Sequence, residues 1–289
     1  MRNTRLWAVA ISSLVASASI AMAHEFWIQP VSFRPELNSE VGVRLMVGDG
    51  FPGEARARDS KKFERLDVLG PSSEGKAVAI DGKDGDEPVG VIKLARPGVH
   101  AIAYRGRETT IELEAQKFED YLREEGLDAI IQKRAELGES KAAGREGYSR
   151  CAKSLVTAGG ESSGAWNATS GLKVEIVPTA NPCAARAGDS LGFRLIRDGK
   201  PVQNAKLTAL TQVAGSTVRM TSRTDDRGEA NFTLRSPGLW VINVVLMDRV
   251  DPAANRSDVD WISIWSSLSF ELAPSESPPR TDKPAAGTP

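Results

Sequence analysis

Two histidines and two cysteines are all that the 289-residue chain has of the side chains most used in metal binding and nucleophilic chemistry. With so few, no Ser/His/Asp order and no cysteine nucleophile with a histidine partner is found, and no Gly-rich phosphate loop occurs either. Charge of one sign is also lacking. The 37 basic and 38 acidic residues leave a formal net charge of -1, so there is no electrostatic footprint for nucleic acid or for an anionic lipid surface. Long apolar runs are absent beyond the first two dozen residues, which excludes a later membrane-spanning helix of about 20 apolar residues.

What is present begins with a leader. Arg2 and Arg5 form a positive start, Leu6 to Ile20 an apolar run short of a span, and Ala21-Met22-Ala23 a small-x-small cleavage pattern. Residues 1–23 are therefore expected to be a signal peptide cut after Ala23, giving an exported chain with no membrane insertion once it is cleaved. The mature chain would then begin at His24.

Residues 24–115 alternate apolar and polar positions in short runs closed by turn residues. Examples are Val41 to Val47 before Gly48-Asp49-Gly50, Phe63 to Leu69 before Gly70-Pro71, and Val99 to Tyr104. Residues 171–272 repeat the pattern, with explicit turns at Asp198-Gly199 and Asp225-Asp226-Arg227-Gly228. Between them, Phe118, Tyr121 and Leu122 fit a helical period, Gly126 is a stop, and Asp128 opens a second helical turn. A further helical piece is expected around Tyr148 to Val156.

The fold expected is mainly β: two immunoglobulin-like β-sandwich domains (24–115 and 171–273) joined by a short helical connector (116–170), with a disordered Pro- and Ser-rich tail from 274 to 289. In the last strand, Ile262, Ile264, Leu268, Phe270 and Leu272 are read as core, and Ser263, Ser267 and Ser269 as outward. Cys151 and Cys183, an even pair in an oxidising compartment, are expected to form a disulfide. It would close a loop of roughly 30 residues and stabilise the fold by about 3 to 4 kcal/mol.

Cleavage after Ala23 would give His24 both a free α-amine and a ring nitrogen, which together can chelate one metal ion, and His100 can supply a third nitrogen. Nitrogen ligands in a flat set suit Cu(II) or Ni(II). The alternative is that His24 is a frayed terminus and His100 a hydrogen-bonded core residue, since its parity places it with Ile102 and Tyr104. Glu25 and Asp49 are possible oxygen ligands or plain solvated carboxylates. Trp240, Trp261 and Trp265 can form a platform for sugars or, more ordinarily, pack the core. Glu124-Glu125 and Asp225-Asp226 are read as a solvated face and a turn, not as an acid and base.

The start His24-Glu25-Phe26-Trp27-Ile28, the strand Pro97 to Arg105, the helix Lys117 to Asp128, the segment Tyr148 to Leu155 and Gly238-Leu239-Trp240-Val241 resemble the DUF4198 family. The resemblance implies a two-domain, largely β periplasmic protein. The family label implies a component of nickel or cobalt uptake with a membrane metal transporter as partner, and together with the chelate chemistry above the expected cofactor is a transition metal ion (Ni, Co or Cu). Two departures are that Leu246-Met247-Asp248 stands where many relatives carry a histidine, and that Cys151 and Cys183 replace aromatic residues. The chain is thus expected to be a non-enzymatic periplasmic metal-binding protein using His24 and His100. The alternatives are a two-sandwich binding or structural module for an envelope protein or glycan, and, last, a copper oxygenase.

Overall fold

The computed structural model describes residues 25–71 and 76–275. His24, the leader and residues 276–289 lie outside them. The chain is mainly β. The first half contributes β1 (Glu25–Pro30), β2 (Glu40–Gly48), β3 (Glu54–Arg56), β4 (Phe63–Leu69), β5 (Val78–Ala79), β6 (Gly90–Lys93), β7 (Gly98–Gly106) and β8 (Thr109–Leu113). Two helices follow, α1 (Ala115–Glu124) and α2 (Asp128–Glu136), and then β9 (Gly144–Ala158). The second half contributes β10 (Val174–Pro178), β11 (Ser190–Arg197), β12 (Lys200–Pro201), β13 (Lys206–Val213), β14 (Ser216–Arg223), β15 (Glu229–Thr233), β16 (Gly238–Arg249) and β17 (Trp261–Leu272).

One nine-stranded sheet runs through both halves in the order β14-β13-β16-β17-β9-β7-β4-β5, with β8 beside the first part of β9. The joint is the parallel pair β17–β9, from Trp261 opposite Glu146 to Ser269 opposite Ser154, and the other pairings in this sheet are antiparallel. Its two faces are covered differently. A four-stranded sheet of β10, β11, β12 and β15 packs on one face, where Cys151, Leu155, Phe193, Trp240, Ile242 and Phe270 meet. The other face carries two covers side by side. The sheet of β1, β2, β3 and β6 lies over Ile102, Tyr104, Ala152 and Val156. The α1–α2 pair lies over Val245, Met247, Trp261 and Trp265.

The helix-break-helix over 115–136 forms as the pattern implies, with Gly126 at φ +67° supplying the left-handed residue after α1. The expected helical piece at Tyr148 to Val156 is instead strand: its 15 residues are buried on alternate faces by two layers, a demand that a period of two meets and a helix does not. Gly144 is the position at which α1 reaches the sheet, since a Cβ there would sit 2.2 Å from the Phe118 ring.

Two further expectations are corrected. Ser263, Ser267 and Ser269 do not face outward: each is at most 2% exposed, because β17 is central and covered on both faces. Cys151 and Cys183 are free and buried, and no disulfide joins them. The Cys151 thiol lies against the backbone of Lys173 and Val174, while Cys183 lies against Thr157. Thr157 is six residues farther along β9, about 20 Å at strand rise, against the roughly 4 to 7 Å between Cα atoms that a disulfide spans.

Candidate functional site

On the face of the central sheet that carries both covers lies a cavity of about 570 Å³, walled by the small sheet and by residues of β4, β7, β8, β9 and β17. β9 runs along its floor. A strand shows alternate side chains to one face, so Glu146, Tyr148 and Arg150 all line it, with Trp265 of β17 beside them. The walls are Phe26, Leu45 and Val47 from the small sheet, Phe63 and Tyr104 from β4 and β7, and Ile111 and Leu113 from β8. Exposed Arg56, Ala57 and Lys62, with half-buried Arg58 and Asp59, complete the lining.

The aromatic wall is tightly connected. Tyr104 lies 4.9 Å from Phe26 and 5.7 Å from Phe63, centroid to centroid, and burial pushes its hydroxyl up to about 12. Arg58 sits 5.1 Å over Phe63 and donates to the Ile80 and Val89 carbonyls at 3.1 and 2.8 Å, so it is a tether as well as a charge.

Arg150 differs from every other cation of the lining. Its guanidinium lies 5.3 Å over the Phe26 ring and 5.2 Å over Tyr148. Its Nε is sealed from solvent without a hydrogen-bond partner, and no carboxylate pairs with it among the described residues. Burial holds its basicity below the usual arginine range. At this half-buried site two cation–π contacts are worth about 0.5 to 1 kcal/mol each and supply no opposite charge. The cavity wall therefore carries a positive charge that the fold leaves without a counter-ion.

At the other end, Glu146 is 3% exposed. Its Oε1 accepts from Tyr121 Oη at 3.1 Å and from Ser263 Oγ. Both donors end on Oε1, which leaves Oε2 for a further partner. Burial raises its pKa against the lowering effect of those two hydroxyls. Tyr121, stacked on Trp265 at 5.7 Å, ties α1 to this end of the cavity.

The residues singled out in the sequence are not brought together here. His24 lies outside the described residues. His100 is 5% exposed, and its Nε2 donates to the Arg96 carbonyl at 2.9 Å, as a hydrogen-bonded core histidine does; burial lowers its pKa. β1 enters beside Tyr104, about 13 Å along β7 from His100, and runs toward it. Glu25, the first described residue, pairs with Arg219 at 3.2 Å. Among the described residues no group of three or more His, Cys, Asp or Glu side chains is placed to hold a metal ion.

Trp240, Trp261 and Trp265 are all buried, the first in the core under β10–β11 and the other two under the helices, so they form no surface platform. Asp225 is a turn residue whose Oδ1 accepts from the amides of Arg227 and Glu229. Sequence reasoning missed Arg150, Glu146 and Tyr148. The signal was available in Glu146-x-Tyr148-x-Arg150, three polar or amphipathic residues on one parity, but it is legible only if the segment is read as strand.

The family described as "Domain of unknown function (DUF4198)" matches residues 21–248. No curated protein matches. Among solved structures, one titled "Crystal structure of tetra-tandem repeat in extending region of large adhesion protein" is similar at 11% identity with a TM-score of 0.21. It covers 86% of this chain, which spans about half (49%) of that one.

Proposed function

We propose that this chain, which belongs to the DUF4198 family, is an exported, non-enzymatic binding protein whose cavity holds a small organic anion with an apolar or aromatic body. The observation that carries the reading is Arg150, a guanidinium in a cavity wall, over two rings, with its Nε sealed and no carboxylate beside it. A charge left in that state is costly to the empty protein and is relieved by an arriving carboxylate or similar anion, through a charge-assisted hydrogen bond in a poorly solvated place. The rest of the lining suits the body of such a ligand. Phe26, Phe63, Tyr104, Tyr148 and Trp265 offer ring faces and edges, and the volume falls in the range of small-molecule sites, roughly 300 to 1,000 Å³. Arg56 and Lys62 at the exposed side add positive potential that speeds the entry of an anion.

Export follows from the leader and the cleavage pattern ahead of His24 and is tested by sequencing the N-terminus of the mature protein.

The anionic, aromatic probe 8-anilinonaphthalene-1-sulfonate tests the binding reading directly. The folded protein is expected to take it up saturably at one site, with a fluorescence rise that sodium octanoate competes away and the neutral octanamide does not. Arg150→Met is expected to lower the affinity at least tenfold at unchanged circular dichroism. Equal affinity in that variant, or equal competition by the neutral amide, refutes the proposal.

A further inference from the structure

Glu146 and Arg150 stand on the same strand and the same face, with Tyr148 between them and Trp265 alongside. The three β9 residues are successive same-face positions, so the carboxyl and the guanidinium are based about 13 Å apart. Neither relieves the other. Arg150 is held over Phe26 and Tyr148, and Glu146 is fixed by Tyr121 and Ser263 at the far end. Among the described residues no cation pairs with Glu146, just as no carboxylate pairs with Arg150. The cavity thus has an unneutralised acid at one end, an unneutralised base at the other, and aromatic surface along the path between them.

We infer that the ligand of this cavity is bipolar: an anionic group on Arg150, a primary ammonium on the open Oε2 of Glu146, and an apolar or aromatic middle lying on Tyr148 and Trp265. This rests on the anion-binding reading above and adds the second pole and the length. An ammonium offers three donors to the one oxygen that Tyr121 and Ser263 leave unused. Its arrival also favours the ionised carboxylate, which burial alone disfavours. A zwitterion must bridge two positions based about 13 Å apart along the strand, which favours a chain of several atoms between its charged groups over a short one.

Isothermal titration calorimetry on the folded protein with 8-aminooctanoate, octanoate and 4-aminobutanoate tests it. The bipolar ligand is expected to bind at least about tenfold more tightly than octanoate, and 4-aminobutanoate no better than butyrate. Glu146→Gln, which keeps a carbonyl oxygen for the two hydroxyl donors, is expected to remove the advantage of 8-aminooctanoate and leave octanoate unchanged. Arg150→Met is expected to weaken both, and melting curves verify that the variants fold. If octanoate binds as well as 8-aminooctanoate, or if Glu146→Gln leaves their ratio intact, the second pole is wrong while the anion site stands. If neither compound binds, nor the anilinonaphthalene sulfonate, both readings fall.

Discussion

Arg150→Met separates a binding group from a stabilising one, because the two roles predict opposite signs of stability change. The native guanidinium carries the penalty of a sealed, unpartnered Nε, about 1 to 3 kcal/mol for a buried polar group left unpaired. Its offset is two ring contacts of about 0.5 to 1 kcal/mol each at a half-exposed site. Methionine removes the penalty, keeps most of the apolar contact, and replaces the cation–π terms with sulfur–ring contacts of about 0.3 to 1.5 kcal/mol. The ledger leaves the variant more stable by about 1 kcal/mol, a rise in Tm of about 2 to 4 °C for a chain of this size.

The control is Arg145→Met. Arg145 lies on the same strand, but its guanidinium grips Asp260 through two bonds at 2.8 and 2.7 Å and the Ser257 carbonyl at 2.8 Å. Its removal is expected to lower stability, and only modestly because the pair is partly solvated. Urea unfolding of the three proteins without ligand, with equal slopes, is the assay. A loss of more than about 1 kcal/mol in Arg150→Met would mean that its charge is already satisfied inside the protein, and the case for a ligand would fail with it.

The remaining predictions concern other parts of the fold. Burial pushes Glu125 up to about 7, opposed by the pull of Lys206 and Arg219 and aided by repulsion from Glu25 and Glu124. The unfolded chain gives up that proton near 4.5, so the folded state holds more protons in between, and stability should fall as pH rises from about 4.5 to about 7. Glu125→Gln should flatten that arm, and an unchanged slope in urea titrations across the window would disprove the assignment. Gly144→Ala places a methyl against the Phe118 ring and is expected to cost about 1 to 3 kcal/mol, seen as a lower urea midpoint; a neutral result would show that α1 does not press on β9 there. Both cysteines should react with a thiol reagent only after unfolding without reductant, and dithiothreitol should leave Tm unmoved; a mass two hydrogens short of the reduced chain would overturn this. Calorimetry with Ni(II), Co(II) and Cu(II) on protein beginning at His24 tests the metal reading. His100→Ala should leave any binding unchanged, because that ring is sealed and engaged with Arg96, and a loss of binding would restore it as a ligand.

Local pattern made most strands legible, since alternation such as Val41 to Val47, or a short apolar run such as Val99 to Tyr104 between turn residues, reports a strand wherever it stands. It failed where three layers met. β17 is covered on both faces, so its serines are buried with its isoleucines and the apparent polar face is only small residues packed closely, with Ser266 and Ser269 bonded to carbonyls of the outer sheets. β9 failed for a related reason. Buried on both faces at its end and flanked at its start by polar residues, it shows no single stripe, and reading it as a connector hid the parallel joint that fuses the halves into one sheet.

The cavity inherits that failure directly. Its floor is the polar start of β9, Glu146 to Arg150, and polar residues on alternate positions look like a solvated edge until the sheet around them is known. In the fold those residues lie between a sheet on one side and helices on the other, and α1 reaches far enough for Tyr121 to bond Glu146. A protein that needed this strand only for structure could place threonine or valine at 146 and 150 and gain β propensity without any buried charge. Keeping there a sealed acid and a half-buried base with a sealed Nε, neither paired with a counter-ion, is a stability cost that binding of a ligand would offset.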